Sequence, residues 1–103
     1  MQHFDQDKEV TLDTGLLRVR RHNQYVQLTV AEFKVLKALI DNTGRALSRT
    51  QLLDAVDPTM KQEVYYRAAD STVKRVRRKL RKLGLDGCVK TLRGIGYHWE
   101  IGV

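Results

Sequence analysis

Residues 48–84 read SRTQLLDAVDPTMKQEVYYRAADSTVKRVRRKLRKLG, and this stretch decides the fold. Ser48-Arg49-Thr50-Gln51 fits a capping box, in which the hydroxyl and the glutamine oxygen each take a free backbone N–H of a first helical turn. Leu52, Leu53 and Val56 follow at helical spacing, and Asp57-Pro58 closes a short helix of eight or nine residues. Residues 57–66 read as a loop with room for one helical turn. A second helix is expected to start near Ala68–Asp70 and stop at Gly84, with Ala69, Val73, Val76, Leu80 and Leu83 as its apolar stripe. Short helix, connection and longer helix make a helix–turn–helix with a long turn.

The longer helix carries the charge of the chain. Between Arg67 and Lys82 stand eight lysines and arginines against the one acid Asp70, and outside that window eleven basic residues balance eleven acidic ones. The net charge of +7 on 103 residues is therefore the charge of one segment. A helix with one apolar stripe and basic remaining faces is a helix docked on a domain and presented to a polyanion.

Working outward, Thr29-Val30-Ala31-Glu32 is another capping box, ahead of an apolar face at Phe33, Leu36, Leu39 and Ile40 with Val35 on its flank. Asn42-Thr43-Gly44 stops that helix. Before it, residues 10–13, 16–21 and 25–28 read as short strands that pair antiparallel through turns at Gly15 and Asn23-Gln24. After Gly87, CVKTLRGIGYHWEI alternates as two strands joined at Arg93–Gly96. Phe33 and Tyr97 are expected in the core or at its edge, Trp99 over one end of the sheet, Cys88 buried on a strand, and one of Tyr65 and Tyr66 beneath the loop. The whole is an α+β chain: an N-terminal antiparallel sheet, three helices and a C-terminal β-hairpin. It forms a single domain over residues 1–103, with 1–9 a poorly ordered lead.

Several classes of function find no support in these residues. His3, His22 and His98 fall in separate segments and Cys88 has no ligand partner nearby, so no metal spacing is present. Ser48 reads as a cap, Ser71 as a surface residue and Glu32 as half of a capping box, which leaves no nucleophile with a base. Gly94-Ile95-Gly96 lies between two strands, without the strand–loop–helix setting of a phosphate cradle. The chain is expected to be no enzyme and to need no cofactor. No apolar run approaches the roughly 18 residues that span a bilayer. A polar, acidic start without a targeting segment and a lone cysteine fit the cytoplasm.

The basic helix and the hairpin hold the candidate site. In a helix–turn–helix the second helix enters the major groove of DNA, its N-terminal residues touching base edges. Ser71, Thr72, Lys74, Arg75 and Arg78 lie away from the apolar stripe on a helical wheel, and Arg75 could pair bidentately with a guanine. Arg77, Arg81 and Lys82 lie where phosphate contact is expected. Two strands after such a motif form a wing, and Arg93 at its tip is placed for a minor groove. The rival reading keeps the fold and makes it a protein-interaction module whose basic helix meets an acidic partner. Structured RNA is a poorer fit, because a helix cannot enter the narrow A-form major groove.

These residues resemble a known family. LTVAEFKVLKALIDNTGRALSRTQLLDAV, RAADSTVKRVRRKL and VKTLRGIGYHWE, in this order, are similar to the DNA-binding effector domain of OmpR/PhoB-type response regulators, and the likeness covers residues 10–101. The specific pieces are L-T-x-x-E-F at 28–33, S-R-x-x-L-L at 48–53, R-x-x-D at 67–70, RVRRKL at 75–80 and T-x-R-G-x-G-Y at 91–97. The resemblance implies a winged helix–turn–helix with a four-stranded N-terminal sheet, so that one strand near residues 4–21 is merged or missed by the residue pattern alone. It implies a recognition helix over about 68–83 and a wing over 88–101. By matching position, Ser71, Thr72, Lys74 and Arg75 face bases, while Arg67, Arg77, Arg78, Lys82, Thr91 and Tyr97 meet the DNA backbone and Arg93 the minor groove. It further implies two copies on a direct repeat, forming a dimer on DNA, and RNA polymerase as a partner of loop 57–66. Two departures stand out. Asp57-Pro58 replaces the tryptophan that usually follows the second helix, and 103 residues leave no room for the phosphoacceptor receiver domain that precedes such domains.

Overall fold

The structure, a computed structural model, describes residues 2–5, 10–59 and 62–100, with the side chains of 10–59 and 67–100. It opens with four strands, β1 (Gln2–Asp5), β2 (Val10–Asp13), β3 (Arg18–Arg21) and β4 (Gln24–Gln27), in an antiparallel meander ordered β1-β2-β3-β4. The register pairs Leu12 with Val19 and Val19 with Val26. Strand alternation therefore sends Val10, Leu12, Val19 and Val26 to one face, where all four are buried. On the opposite face Arg20 pairs with Tyr25, and the Arg18 guanidinium lies 4.2 Å from the centre of the Tyr25 ring. The fourth strand is β1, in the segment expected to be a lead; the rest of that lead lies outside the described residues.

Both capping boxes are formed. Helix α1 (Val30–Asp41) starts with Thr29 Oγ1 accepting from Glu32 N at 3.2 Å, and Glu32 Oε1 accepts from Thr29 N at 2.9 Å. Helix α2 (Arg49–Val56) starts with Ser48 Oγ accepting from Gln51 N at 3.1 Å, answered by Ser48 N donating to Gln51 Oε1 at 2.8 Å. Losing the Ser48 cap by Ser48→Ala is expected to cost about 1 kcal/mol. Thermal unfolding should record a Tm roughly 4–8 °C lower, with the secondary structure unchanged at 25 °C. The far end of α2 is tied to α1 by Lys34 Nζ donating to Val56 O at 3.2 Å.

Helix α3 runs from Gln62 to Leu80, so it begins well before the expected start at Ala68–Asp70. The connection 57–66 is correspondingly shorter. The apolar stripe starts only at Ala69, which is why pattern alone set the boundary late. No Pro or Gly interrupts the chain between Pro58 and Gly84, and Gln62, Glu63, Arg67 and Ala68 tolerate or favour helix, so an established helix propagates backward through them. Whether Tyr65 or Tyr66 packs inward lies outside the described residues. A 3-10 turn at Arg81–Leu83 follows, and Gly84 ends the run in the left-handed conformation (φ 69).

One core joins these elements. Ala69, Val73, Val76, Leu80 and Leu83 are all buried, as the stripe predicts, and the last four share one core with Phe33, Val35, Leu36 and Leu39 of α1 and the inner face of the sheet. The chain then makes a hairpin, β5 (Val89–Leu92) and β6 (Gly96–Trp99), with Val89 opposite Trp99. Trp99 is fully buried within the core, more central than the cover over one end of the sheet that its sequence position suggests. The hairpin is anchored to the connection between α1 and α2: Leu47 N donates to Tyr97 O at 2.7 Å and Tyr97 N to Leu47 O at 2.9 Å. Among the described residues, no helix is long and apolar enough to cross a membrane.

Candidate nucleic-acid interface

On α3, Arg67, Ser71, Lys74 and Arg78 are all exposed. Their spacing of four, three and four residues keeps them within about 60° of one another on a helix turning 100° per residue. They form a stripe opposite the buried one, three cations and a hydroxyl long. Lys82, in the 3-10 turn beyond, is exposed as well. Arg78 lies within this outward face, one helical turn beyond Lys74.

Asp70, the acid of this helix segment, lies on the flank of the stripe and is neutralised. Its Oδ1 accepts from Arg49 Nε at 2.8 Å and from the Tyr97 hydroxyl at 2.6 Å. One carboxylate therefore joins the first residue of α2, the first half of α3 and strand β6. Partial burial pushes the Asp70 carboxyl upward, but the two hydrogen bonds and the Arg49 charge outweigh it and hold the group below its ordinary value. Burial, followed by the bond to Asp70, raises the Tyr97 phenol. The same Asp70 contact raises Arg49. Near neutral pH all three hold the protonation states that these bonds need.

Arg77, on the same flank, ties α3 to the hairpin. Its Nε donates to Val89 O at 3.0 Å, its Nη2 donates to Thr91 Oγ1 at 2.7 Å, and its guanidinium lies 5.5 Å from the centre of the Tyr97 ring. The hairpin is thus held beside the basic helix, as a wing is. At its tip Arg93 is exposed between Leu92 (42% exposed) and Ile95 (58% exposed), two large apolar side chains facing water. A cleft of about 530 Å³ separates this tip from the first turn of α2 and is lined by Ser48, Arg49, Thr50 and the hairpin residues 91–97.

The opposite flank of α3 meets α1. Thr72 is 7% exposed; its hydroxyl donates to Ala68 O at 2.7 Å and accepts from Arg75 Nη2 at 3.1 Å. Arg75 Nε stands 3.4 Å from Glu32 Oε2, and Lys79 Nζ donates to Glu32 Oε1 at 2.6 Å. Burial alone would raise the Glu32 carboxyl, yet the Lys79 bond and the Thr29 N–H hold it below the ordinary carboxylate range.

Of the residues expected to face bases, Ser71, Lys74 and Arg75 are therefore exposed, while Thr72 is directed into the protein. That corrects its placement on the outer surface: at 100° per residue Thr72 lies beside the buried stripe, and a small β-branched residue fits there with its hydroxyl bonded back to the helix. Of the expected backbone contacts, Arg67, Arg78, Lys82 and Thr91 are exposed and Arg77 is half-buried. Tyr97 is buried, its hydroxyl turned inward to Asp70. Arg49 and Lys79 had no assigned place in the site. Only the capping-box spelling of Glu32 and the R-x-x-D motif at Asp70 pointed toward their partners. Among the described residues, no group of three or more His, Cys, Asp or Glu side chains is placed to hold a metal ion.

Comparison with known proteins agrees with this geometry. Residues 23–99 match the family model described as "Transcriptional regulatory protein, C terminal". The chain is 33% identical over 101 residues to the transcriptional regulatory protein BaeR of Escherichia coli O6:H1, covering 97% of this chain and 42% of that protein. It is 35% identical over 94 residues to the phosphate regulon transcriptional regulatory protein PhoB of Rhizobium meliloti, covering 89% and 40%. The chain thus spans about two fifths of the length of the curated relatives it matches. Among solved structures, the DNA-binding domain of response regulator AdeR in complex with an intercistronic region superposes with a TM-score of 0.76 at 27% identity, over 88% of this chain and 93% of that one. The Klebsiella pneumoniae RstA DNA-binding domain in complex with the RstA box gives 0.74 at 26% identity, over 90% and 92%.

Proposed function

This chain belongs to the family of transcriptional regulatory protein C-terminal domains, and from that premise we propose that it binds double-stranded DNA sequence-specifically as the effector domain of a transcription regulator. The observation that carries the reading is the outward stripe Arg67–Ser71–Lys74–Arg78 on a helix flanked by a wing. α3 enters the major groove with Ser71, Lys74 and Arg75 toward the base edges. Arg67, Arg77, Arg78, Lys82 and Thr91 meet phosphates, and Arg93 enters the adjacent minor groove. Thr72 and Tyr97 serve this surface from within, Thr72 by bonding Arg75 and Tyr97 by bonding Asp70.

A single domain of this size offers a small DNA interface, so we assign the working unit as two copies on a direct repeat. RNA polymerase is assigned to the connection after α2, of which Asp57–Thr59 are described. There Asp57 Oδ1 accepts from both the backbone N–H and the hydroxyl of Thr59, which shapes the start of that connection without a tryptophan. With DNA as its partner, the domain acts in the cytoplasm and catalyses no reaction.

The test is selection of bound duplexes from a random-sequence pool near ~150 mM salt, followed by sequencing. Enrichment of a motif, expected as a direct repeat spaced by about one helical turn, supports the reading. Retention without enrichment would reduce α3 to phosphate contacts. No retention even at low salt would overturn DNA binding in favour of an acidic protein partner.

A further inference from the structure

Arg75 is held before any ligand arrives. Nε, on one edge of its guanidinium, faces Glu32 Oε2 at 3.4 Å, and Nη2 donates to Thr72 Oγ1 at 3.1 Å. The Thr72 hydroxyl is itself oriented by its bond to Ala68 O. Glu32 is equally fixed: it is 1% exposed, its Oε1 is held by Lys79 Nζ and by the Thr29 N–H of the capping box, and Oε2 is the oxygen turned to Arg75. Arg75 nevertheless remains 44% exposed as a side chain. A long flexible residue on the outer surface of a helix is thus braced at its inner edge by a buried anion from another helix, 43 residues away by sequence number (75 − 32).

Bracing of this kind has a recognisable consequence. An arginine free on the surface loses side-chain entropy when it clamps a base, whereas one already fixed loses less. With Nε turned toward Glu32, the outer edge formed by Nη1 and the remaining Nη2 hydrogen is the edge available to a paired acceptor such as guanine O6 and N7. A phosphate accepts over a wider range of directions than a base edge does, so orientation of this kind counts most where bases are told apart. We propose that Glu32 is a positioning residue for sequence discrimination: from α1 it fixes the guanidinium of Arg75, with Thr72 as the second brace, so that one edge faces the major groove. This rests on the DNA-binding reading above.

The test compares wild type with Glu32→Gln, Thr72→Val, Arg75→Ala and the double variant Glu32→Gln/Arg75→Ala. Each is titrated by fluorescence anisotropy against the duplex enriched from the random pool and a scrambled duplex of equal length and composition. Glu32→Gln is expected to weaken binding to the enriched duplex roughly tenfold while changing the scrambled duplex less than about twofold. In the Arg75→Ala background the same substitution should leave the ratio of the two affinities unchanged. Thr72→Val, which keeps the shape and removes the hydroxyl, should erode the same ratio and serves in place of Glu32→Gln if that variant fails to fold. A merely structural role would lower both affinities together with Tm. Equal losses on both duplexes, or a ratio that Glu32→Gln and Thr72→Val leave intact, would overturn the proposal. Wild type without any preference for the enriched duplex would instead sink the sequence-specific reading itself.

Discussion

Replacing Gly96 with alanine is expected to destabilise the fold by about 3 kcal/mol or more, although Gly96 lies outside the core. A Cβ built on Gly96 would stand 2.0 Å from the backbone oxygen of Leu47, 2.8 Å from its carbonyl carbon and 2.9 Å from Ser48 Cα. None of these atoms is the movable end of a side chain. Leu47 is fixed by its paired bonds with Tyr97, one residue beyond Gly96, and Ser48 is the cap of α2. The collision can be relieved only by parting β6 from Leu47. That releases the hairpin from the helix–turn–helix and disturbs Trp99 in the core. Gly96 also has φ 156, a conformation that side-chain-bearing residues rarely adopt. Overpacking against immobile atoms together with lost ladder bonds places the cost at about 3 kcal/mol or more. On a domain of this size that lowers Tm by roughly 12 °C or more. Urea denaturation followed by tryptophan fluorescence would report it directly through Trp99, the one tryptophan. A midpoint within error of wild type would mean that the contact between the hairpin and Leu47 does not hold the wing.

Gly96 marks a point at which local sequence is no longer a sufficient guide to structure. A glycine in a T-x-R-G-x-G-Y motif is legible as a turn residue, and Gly94 (φ 80) is one. That Gly96 is needed for a neighbour's carbonyl depends on Leu47, 49 positions earlier (96 − 47), and no local pattern reveals such a contact. The elements that were legible rest on short-range physics. Both capping boxes span four residues, and the stripe from Ala69 to Leu83 repeats along α3 and the 3-10 turn that continues it. β1 was illegible because its polar and acidic neighbourhood shows no alternating apolar positions; its placement comes from pairing with β2. The site divides in the same way. Outward cations are visible as charge, whereas Arg49–Asp70, Asp70–Tyr97 and Lys79–Glu32 join residues 21, 27 and 47 positions apart. Those bonds decide which polar residues of α3 point out and which point in. Thr72 is the clearest case, polar by type and buried by its neighbours.

Raising the salt from about 50 to 200 mM is expected to weaken binding of the enriched duplex roughly a thousandfold. Arg67, Lys74, Arg78, Lys82 and Arg93 are exposed cations, and Arg77 is half-buried against the hairpin. If about six phosphates are neutralised, the slope of log affinity against log salt is about −0.9 per phosphate. The exposed acids nearby do not offset this, since Asp70 is engaged by Arg49 and Tyr97, and Asp86 lies 3.7 Å from Arg81. Two variants divide the surface into its working parts. Arg78→Ala should make the slope shallower by about 1 and weaken enriched and scrambled duplexes alike, as loss of one phosphate contact requires. Arg75→Ala should cost about 1–3 kcal/mol on the enriched duplex and much less on the scrambled one, as loss of a base contact requires. Titrations at four salt concentrations for each variant separate the two effects, because counterion release is read from the slope and base recognition from the vertical offset between duplexes. A wild-type slope shallower than about −3 would mean that no more than about three phosphates are engaged. The stripe on α3 and the wing could not then both lie on DNA.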